Sequence, residues 1–158
     1  MRHAKSDWQS GADSDFDRPL NKRGRRAAAD MGALLKTRLK PPELVIASPA
    51  LRSRQTVDRL FLNTGWRLDR LKFDESLYLA SADRLKEIAR ANDDRESVLL
   101  VGHNPGLEDL LLFLCGPDVQ RTRKGKVFTT ANVAIIEPAV TGFDAGGRAR
   151  LVELIRPR

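Results

Sequence analysis

The sequence predicts a single α/β domain built on a largely parallel sheet. Two short apolar runs, Leu44 to Ala47 and Val98 to Val101, are each followed by a turn and then by a helical pattern. Strands that alternate with helices in this way are typical of α/β folds. The second run is apolar at every position, as in a strand that helices cover on both faces. The length of 158 residues fits one domain.

Helical patterns occupy most of the chain around these strands. Asn21 can cap the first helix, which Pro41 and Pro42 end. In the last helix, Asn104 is the predicted cap, Pro105 takes the first position and Gly116 is the stop. The predicted ranges are Asn21 to Leu39, the residues after Ser48-Pro49 to about Leu62, Ser81 to Ala91, and Pro105 to Leu114.

Three further strands complete the predicted sheet. Leu71 to Phe73 is a short strand, and Val133 to Glu137 and Ala149 to Ile155 are longer ones. The glycine-rich stretch Thr141 to Gly147 would join the last two as a turn. Because an antiparallel edge is common on an otherwise parallel sheet, we expect this pair at an edge.

The composition favours an anionic partner. The 28 Lys and Arg residues exceed the 21 Asp and Glu residues, which gives a formal net charge of +7 and attracts anions. Aromatic residues are only 6% and are not interleaved with basic ones, so nucleic acid is less favoured than a phosphorylated substrate. With two histidines and no acidic cluster at ligand spacing, neither a metal site nor another cofactor is predicted.

Cysteine usage and hydropathy favour a cytoplasmic protein. The single cysteine, Cys115, cannot form an internal disulfide, which suits a reducing compartment. No apolar run approaches the roughly 18 residues of a membrane helix. The polar stretch from Ser6 to Asp17 argues against a signal peptide. We therefore expect no membrane association.

The residues able to do chemistry gather where strands are predicted to end. In open α/β sheets, ligands bind beyond the carboxyl ends of the strands. The two histidines are His3, at the start of the chain, and His103, which directly follows one predicted strand. Arg52 lies in the first turn of the helix that follows another strand. Together with Arg2, these residues would form a cationic pocket around an imidazole, which suits a phosphoryl group.

These residue types predict phosphoryl transfer to a histidine. The neutral imidazole of His3 would attack phosphorus in line, while Arg2, Arg52 and His103 bind the equatorial oxygens. Water would then hydrolyse the phosphohistidine.

A carboxylic acid would help the reaction by giving a proton to the leaving group. Glu75 follows the short strand that ends at Phe73 and is the best placed in the sequence. Asp74 is the second choice. The sequence therefore predicts Glu75 as the proton donor.

Four short motifs occur along the first two thirds of the chain. They are Arg2-His3-Ala4-Lys5-Ser6-Asp7-Trp8, Pro19-Leu20-Asn21-Lys22-Arg23-Gly24, Ser48-Pro49-Ala50-Leu51-Arg52-Ser53-Arg54-Gln55-Thr56 and Val101-Gly102-His103-Asn104-Pro105-Gly106. In content and order this set resembles the histidine phosphatase superfamily, the phosphoglycerate mutase-like group. The stretch Lys124 to Thr130 and the two terminal strands are similar to its small single-domain branch, the SixA-type phosphohistidine phosphatases.

The resemblance implies a fold, an activity and a role for each matching residue. The fold would be a three-layer α/β/α sandwich with a mostly parallel mixed sheet. His3 would be the phosphorylated nucleophile, with Arg2, Arg52 and His103 as the phosphate pocket and Glu75 as the proton donor. The implied activity is metal-independent hydrolysis of phosphohistidine on a protein substrate. Small phosphate esters and phosphoserine or phosphothreonine remain open as substrates.

The start of the chain departs from the family pattern. Relatives carry a hydrophobic strand immediately before the Arg-His pair, whereas here only Met1 precedes it. We expect the domain to lack this strand, which leaves His3 on a poorly ordered terminus, and we favour a native start upstream of Met1. Ala4 replaces the usual glycine, which requires a backbone φ below zero there.

Three alternatives compete with this interpretation. Cys115 and Arg121 have the Cys-x5-Arg spacing of cysteine-dependent phosphatases, but a cysteine at a helix C-terminus has a raised thiol pKa. A mutase would need an enclosing lid, for which 158 residues leave little length. A non-catalytic anion- or nucleic-acid-binding module would use the basic first helix and the basic stretch from Arg121 to Lys126.

Overall fold

The computed structural model describes residues 1–138 and 149–157, so the predicted turn from Thr141 to Gly147 lies outside the described residues. Four α-helices and five strands are present in this part of the chain. The helices are α1 Lys22–Arg38, α2 Leu51–Thr64, α3 Ala82–Arg90 and α4 Gly106–Cys115. The strands are β1 Leu44–Ala47, β2 Leu71–Phe73, β3 Val98–Val101, β4 Val133–Pro138 and β5 Ala149–Ile155. Short 3-10 turns cover Leu68–Arg70 and Glu75–Leu77.

Strand β1 is the middle strand of a three-stranded parallel sheet in the order β2-β1-β3. Ile46 of β1 pairs with Lys72 on one side and with Leu100 on the other. Strands β4 and β5 form an antiparallel pair with an irregularity between Ile135 and Ile136. The predicted parallel sheet and the predicted antiparallel pair are both present. The expectation that the pair adds directly to an edge of the parallel sheet is wrong for the described residues, because β4 and β5 form a separate two-stranded sheet.

The sheet is covered by helices on both faces. Successive residues of a strand point to opposite faces, and in β1 the side chains of Val45 and Ala47 pack in one apolar cluster while Ile46 packs in the other. The first cluster takes its helical residues from α1 and α2, and the second from α3 and α4. The predicted α/β/α sandwich is therefore confirmed, and the burial of both faces explains why β1 and β3 are apolar at every position.

The predicted cap at Asn21 is present, and Ser81, the first residue of the predicted third helix, also caps its helix. The Asn21 side chain accepts a hydrogen bond from the Gly24 amide at 2.8 Å, and α1 begins directly after Asn21. The Ser81 hydroxyl accepts one from the Arg84 amide at 3.2 Å at the start of α3. Both caps satisfy amides that have no partner within the helix.

The predicted cap at Asn104 is wrong. Helix α4 begins at Gly106, and Pro105 precedes it without a side-chain hydrogen bond to the helix. The Asn104 amide instead donates to the carbonyl oxygen of Phe128 at 2.9 Å and to the Glu108 carboxylate at 3.1 Å. The bond to Phe128 ties the start of α4 to a loop that is distant in sequence.

Residues 1–3 lie between β3 and the start of β4. Arg2 pairs with Gly102, just past the end of β3, in a parallel bridge. The His3 amide donates to the Gly102 carbonyl at 3.0 Å, and the Arg2 amide donates to the Asn132 carbonyl at 3.0 Å. His3 is 7% exposed. The expectation that His3 would be poorly placed is therefore not met, because backbone partners on both sides hold this segment.

A cavity of about 480 Å³ lies beside Met1 and is lined by residues of both β3 and β4. The terminal ammonium of Met1 donates to the Leu100 carbonyl at 2.7 Å, and burial lowers the pKa of this amine to about 5. The absence of the first strand of the domain and a native start upstream of Met1 both stay predictions.

Candidate active site

A second cavity, of about 550 Å³, lies at the carboxyl ends of β1 and β3. It is lined by Arg2, His3, Arg52 and His103, which come from three separate parts of the chain. The parallel sheet explains this meeting, because the ends of neighbouring parallel strands share one edge. The structure therefore brings together four of the five predicted site residues.

Glu75, the fifth predicted residue, does not line the cavity in the part of the chain that the structure describes. It begins the 3-10 turn Glu75–Leu77, and its side chain is exposed. The alternative acid, Asp74, caps this turn by accepting hydrogen bonds from the amide and hydroxyl of Ser76. The role of Glu75 as proton donor stays a prediction.

His3 has a defined proton arrangement. Its Nδ1 lies 2.7 Å from the Ala4 carbonyl oxygen, and because a carbonyl only accepts, Nδ1 carries the proton. The lone pair is then on Nε2, the nitrogen available for bond formation. Burial, aided by the positive charges of Arg52 and Arg2, lowers the pKa of His3 to about 3. The imidazole is thus neutral and able to act as a nucleophile at pH 7.

His103 lies beside His3, with the ring centroids 5.0 Å apart. Its Nε2 is 2.7 Å from the hydroxyl oxygen of Ser48, the residue that follows β1. Its Nδ1 is buried and has no hydrogen-bond partner among the described residues. Burial, with a smaller effect of Arg52, lowers the pKa of His103 to about 4. When the Ser48 hydroxyl donates to Nε2, the proton of His103 is on Nδ1 and is free for an oxyanion.

The two predicted arginines are held by backbone and carboxylate groups. Arg2 donates from Nη1 to the Phe128 carbonyl at 2.9 Å. Arg52, only 2% exposed, donates from Nη2 to Asp15 Oδ2 at 2.8 Å and from Nη1 to the Asp15 carbonyl at 2.5 Å. Within the described chain, the Nε atoms of both arginines are buried without partners. Each guanidinium therefore keeps donor capacity for an anion.

Sequence reasoning missed Asp15, Arg18 and Tyr78. Asp15 and Arg18 belong to the loop between Ser6 and Leu20, and both line the cavity. Arg18 Nη2 is 2.5 Å from Asp15 Oδ1, and the Tyr78 hydroxyl donates to Asp15 Oδ2 at 2.8 Å. The only signal for them is that Arg18 directly precedes the motif that opens α1. The loop itself carries no periodic pattern.

The mouth of the cavity carries exposed basic and apolar side chains. Trp8 is 78% exposed, and the guanidinium of Arg18 lies 3.6 Å from its ring centroid. Leu79 is 55% exposed, and Lys5 and Lys126 are also exposed at this rim. Cationic groups around a partly buried cluster of arginines attract anions.

The rival cysteine site is not supported by its geometry. Cys115 is the last residue of α4, and burial raises the pKa of its thiol. The Arg121 guanidinium donates to the Gly125 carbonyl at 3.2 Å. Neither residue lines the cavity that holds His3. A raised thiol pKa is the opposite of what a cysteine nucleophile needs.

Within residues 1–138 and 149–157, no group of three or more His, Cys, Asp or Glu side chains is placed to bind a metal ion. The same residues contain no helix that is long and apolar enough to cross a bilayer.

Comparison with known proteins shows the family. The sequence model of the histidine phosphatase superfamily (branch 1) matches residues 1–77. An uncharacterized protein of Mycobacterium tuberculosis is 34% identical over 164 residues, which cover 100% of both chains. The chain belongs to the histidine phosphatase superfamily.

Solved structures give the same result. A protein assigned as the phosphohistidine phosphatase SixA of Agrobacterium tumefaciens has a TM-score of 0.85 and 28% identity, over 99% of this chain and 95% of that one. A mycobacterial glucosyl-3-phosphoglycerate phosphatase shares the fold with a TM-score of 0.68 and 18% identity, over 96% and 95% of the two chains. The protein is thus a phosphatase of the phosphoglycerate mutase-like fold, as the motifs predicted.

Proposed function

We propose that the protein is a metal-independent phosphohydrolase that removes phosphoryl groups from phosphohistidine on a protein substrate. The observation that carries this proposal is the buried imidazole of His3, neutral and with its lone pair on Nε2, in a cavity with Arg2, Arg52 and His103. A nucleophile surrounded by fixed cationic and N–H donors suits phosphoryl transfer.

In the first step, the Nε2 of His3 attacks phosphorus as the bond to the leaving group breaks. Arg2, Arg52 and the Nδ1 of His103 hold the equatorial oxygens, whose charge is spread in the transition state. Among the described residues, the Nε atoms of Arg2 and Arg52 and the Nδ1 of His103 are buried and have no hydrogen-bond partner. An oxyanion would satisfy these donors, which supports this role.

In the second step, water attacks the phosphorus of the phosphohistidine and His3 leaves as a neutral imidazole. Its hydrogen bond to the Ala4 carbonyl keeps the proton on Nδ1 throughout, so Nε2 is regenerated with its lone pair. The same oxygen-binding groups serve both steps. Inorganic phosphate is the product.

The exposed rim supports a protein substrate rather than a small ester. Trp8 and Leu79 are 78% and 55% exposed beside the cavity. A small ester bound at His3 would leave these side chains in water, whereas a protein surface can cover them. Large aromatic side chains contribute strongly when a partner buries them.

The test is phosphate release, with EDTA present, from an aryl phosphate and from a phosphohistidine-bearing protein domain. We expect His3→Ala to abolish turnover of both substrates, because it removes the only proposed nucleophile. Unaltered protein should also form an acid-labile, base-stable phosphoenzyme that His3→Ala does not form. The ratio of kcat/KM for the two substrates measures the preference.

Three results would count against the proposal. Turnover in His3→Ala would exclude His3 as nucleophile. Preference for small esters over the phosphoprotein would overturn the protein substrate while leaving the chemistry. Phosphate binding without turnover of any donor would favour a non-catalytic binding module.

A further inference from the structure

Asp15 is a carboxylate in a cavity that is otherwise cationic. Among the described residues that line this cavity it is the only acidic one. It belongs to the loop between Ser6 and Leu20, which an antiparallel bridge between those two residues closes. Its side chain is 43% exposed, whereas the side chain of its partner Arg52 is 2% exposed. The carboxylate therefore lies towards the mouth and the guanidinium lies deeper.

The partners of Asp15 are the groups that a phosphoryl oxygen would use. Its Oδ2 is 2.8 Å from Arg52 Nη2, and its Oδ1 is 2.5 Å from Arg18 Nη2. Tyr78 donates its hydroxyl proton to the same Oδ2 at 2.8 Å. A carboxylate and a phosphoryl group match the guanidinium fork in the same way. The two anions would therefore compete for Arg52 and Arg18.

We propose that Asp15 is the proton-transfer residue of this site: the substrate phosphoryl group replaces it on Arg52 and Arg18, and the displaced carboxyl group protonates the leaving group. This inference rests on the proposed function and deepens it. It adds an acid that neither the motifs nor the predicted role of Glu75 supplies.

Displacement of Asp15 from the two arginines by the phosphoryl group raises the pKa of its carboxyl group, as a proton donor requires. In the empty site, the hydrogen bond from Arg18, followed by that from Tyr78 and the charge of Arg52, holds the pKa of Asp15 well below its usual range. Displacement by a phosphoryl group removes the two guanidiniums and adds a negative neighbour, and both changes raise a carboxyl pKa. Asp15 thus becomes able to hold a proton only when substrate is bound.

The protons balance over the two steps. A substrate phosphoryl monoanion gives its proton to the Asp15 carboxylate as it takes the place on Arg52. The bond from phosphorus to His3 Nε2 then forms, the bond to the leaving group breaks, and the leaving atom takes the electron pair and the proton of Asp15. In the second step the attacking water gives a proton to the Asp15 carboxylate. The product phosphate then takes this proton from Asp15 as it leaves, so the carboxylate is restored.

The rival assignment makes Glu75 the proton donor, and its position in the structure differs from that of Asp15. Glu75 is exposed on the 3-10 turn Glu75–Leu77, and it does not line the cavity as the described residues form it. A proton donor must come within about 3 Å of the leaving atom, directly or through one water. Asp15 lines the cavity that would hold the leaving group, so it can approach the leaving atom without movement of β2 or of the turn that follows it.

The test compares Asp15→Asn with Asp13→Asn, which makes the same charge change at an exposed position of the same loop outside the cavity. The substrates are phenyl phosphate, whose leaving group needs a proton, and 2,4-dinitrophenyl phosphate, whose leaving group does not. The measured quantity is kcat/KM, because it reports the first chemical step.

We expect Asp15→Asn to lower kcat/KM for phenyl phosphate by about 10²- to 10⁴-fold, the usual contribution of a general acid. For 2,4-dinitrophenyl phosphate the loss should be less than about tenfold, because that leaving group departs as an anion. Asp13→Asn should match the unaltered protein with both substrates. A purely structural role for Asp15 would lower both values equally.

Binding of inorganic phosphate gives a second readout that needs no turnover. Asp15→Asn should bind phosphate several-fold more tightly, because a competitor for Arg52 and Arg18 is removed. Weaker or unchanged phosphate binding would overturn the displacement step.

Two kinds of kinetic result separate this inference from the proposed function. Equal loss with both aryl phosphates in Asp15→Asn, or a loss that depends on the leaving group in Glu75→Gln instead, would overturn the inference alone. Absence of turnover in the unaltered protein, or full turnover in His3→Ala, would overturn the proposed function and the inference with it.

Discussion

Arg52 and Arg54 are two positions apart on α2, and yet they have opposite surroundings. Because successive helical residues turn by about 100°, their side chains point about 200° apart. Arg52 is 2% exposed and lies 2.8 Å from Asp15 in the cavity. Arg54 donates to the Pro49 carbonyl at 2.8 Å and lies 4.5 Å from the centroid of the Phe73 ring. Of the two, only Arg52 can hold a phosphoryl group.

This contrast gives a matched pair of variants. Arg52→Lys keeps the charge but removes the planar fork that binds two oxygens at once. We expect it to lower kcat/KM for an aryl phosphate by at least about tenfold, since a charge-assisted hydrogen bond contributes about 1.5 to 3 kcal/mol. Arg54→Lys should change kcat/KM by less than about threefold. Equal losses in the two variants, measured by steady-state kinetics, would contradict the assignment of Arg52.

At the residue scale, the sequence could predict some members of the site but not others. Arg2, His3, Arg52 and His103 follow or accompany strand ends, and the parallel sheet brings those ends together. Asp15 reaches Arg52 from a loop 37 positions earlier in the chain. No hydrophobic period or turn signal determines the course of such a loop. Its contribution could be found only once the tertiary structure placed it.

At the scale of elements, α1 packs closely against the segment that follows His3. A Cβ atom at Gly24, in the first turn of α1, would lie 2.0 Å from the carbonyl oxygen of Lys5. The Asn21 amide also donates to this carbonyl, at 3.1 Å. The glycine of the Pro19-to-Gly24 motif therefore permits a close approach between a helix and the strand-end segment that carries the nucleophile.

Gly24→Ala provides a test in which two physical effects have opposite signs. Helix propensity alone predicts that alanine would stabilise the helix by about 1 kcal/mol. The contact with Lys5 predicts a loss of roughly 1 to 3 kcal/mol instead, the usual cost of overpacking. We expect the contact to dominate, because backbone atoms cannot move aside as a flexible side chain can.

The measurement is the free energy of unfolding in urea, with aryl phosphatase activity as a second readout. Ala33→Gly, at an exposed position of α1, is the control and should cost about 1 kcal/mol with little effect on activity. A Gly24→Ala protein that is more stable than the unaltered one would contradict this prediction. It would show that α1 can move away from residues 3–6 without a loss of unfolding free energy.

Elements were predictable where a local pattern decides them. The boundaries of α1 and α3 follow from Asn21 and Ser81, whose side chains bond to their own helices. The start of α4 was not predictable in this way, because the Asn104 side chain bonds to Phe128 in a distant loop. A capping residue is a local signal only when no tertiary partner competes for it.

At the scale of the whole molecule, the site lies where both sheets meet the N-terminal segment. Residues 1–3 bond to the end of β3 on one side and to Asn132, before β4, on the other. This position buries both histidines, with His3 7% and His103 3% exposed. Folding therefore moves two imidazoles from water into a cationic, poorly solvated site.

The buried histidines predict a stability that falls in mild acid. Their pKa values are lowered from 6.5 to about 3 for His3 and about 4 for His103. Below pH 6.5 the unfolded chain therefore binds protons that the folded chain does not, which favours unfolding. Between pH 7 and pH 5 each histidine should cost on the order of 1 to 2 kcal/mol of unfolding free energy.

Urea unfolding at pH 7 and pH 5, in buffers without phosphate, measures this loss. Phosphate must be absent because an anion bound beside the imidazoles would raise their pKa values and hide the effect. The double variant His3→Asn/His103→Asn is the control, since every other titrating group is common to both proteins. We expect the variant to lose about 2 to 4 kcal/mol less than the unaltered protein over this range. Equal losses would mean that the imidazoles accept protons in the folded state, and His3 would then not be a neutral nucleophile at pH 5.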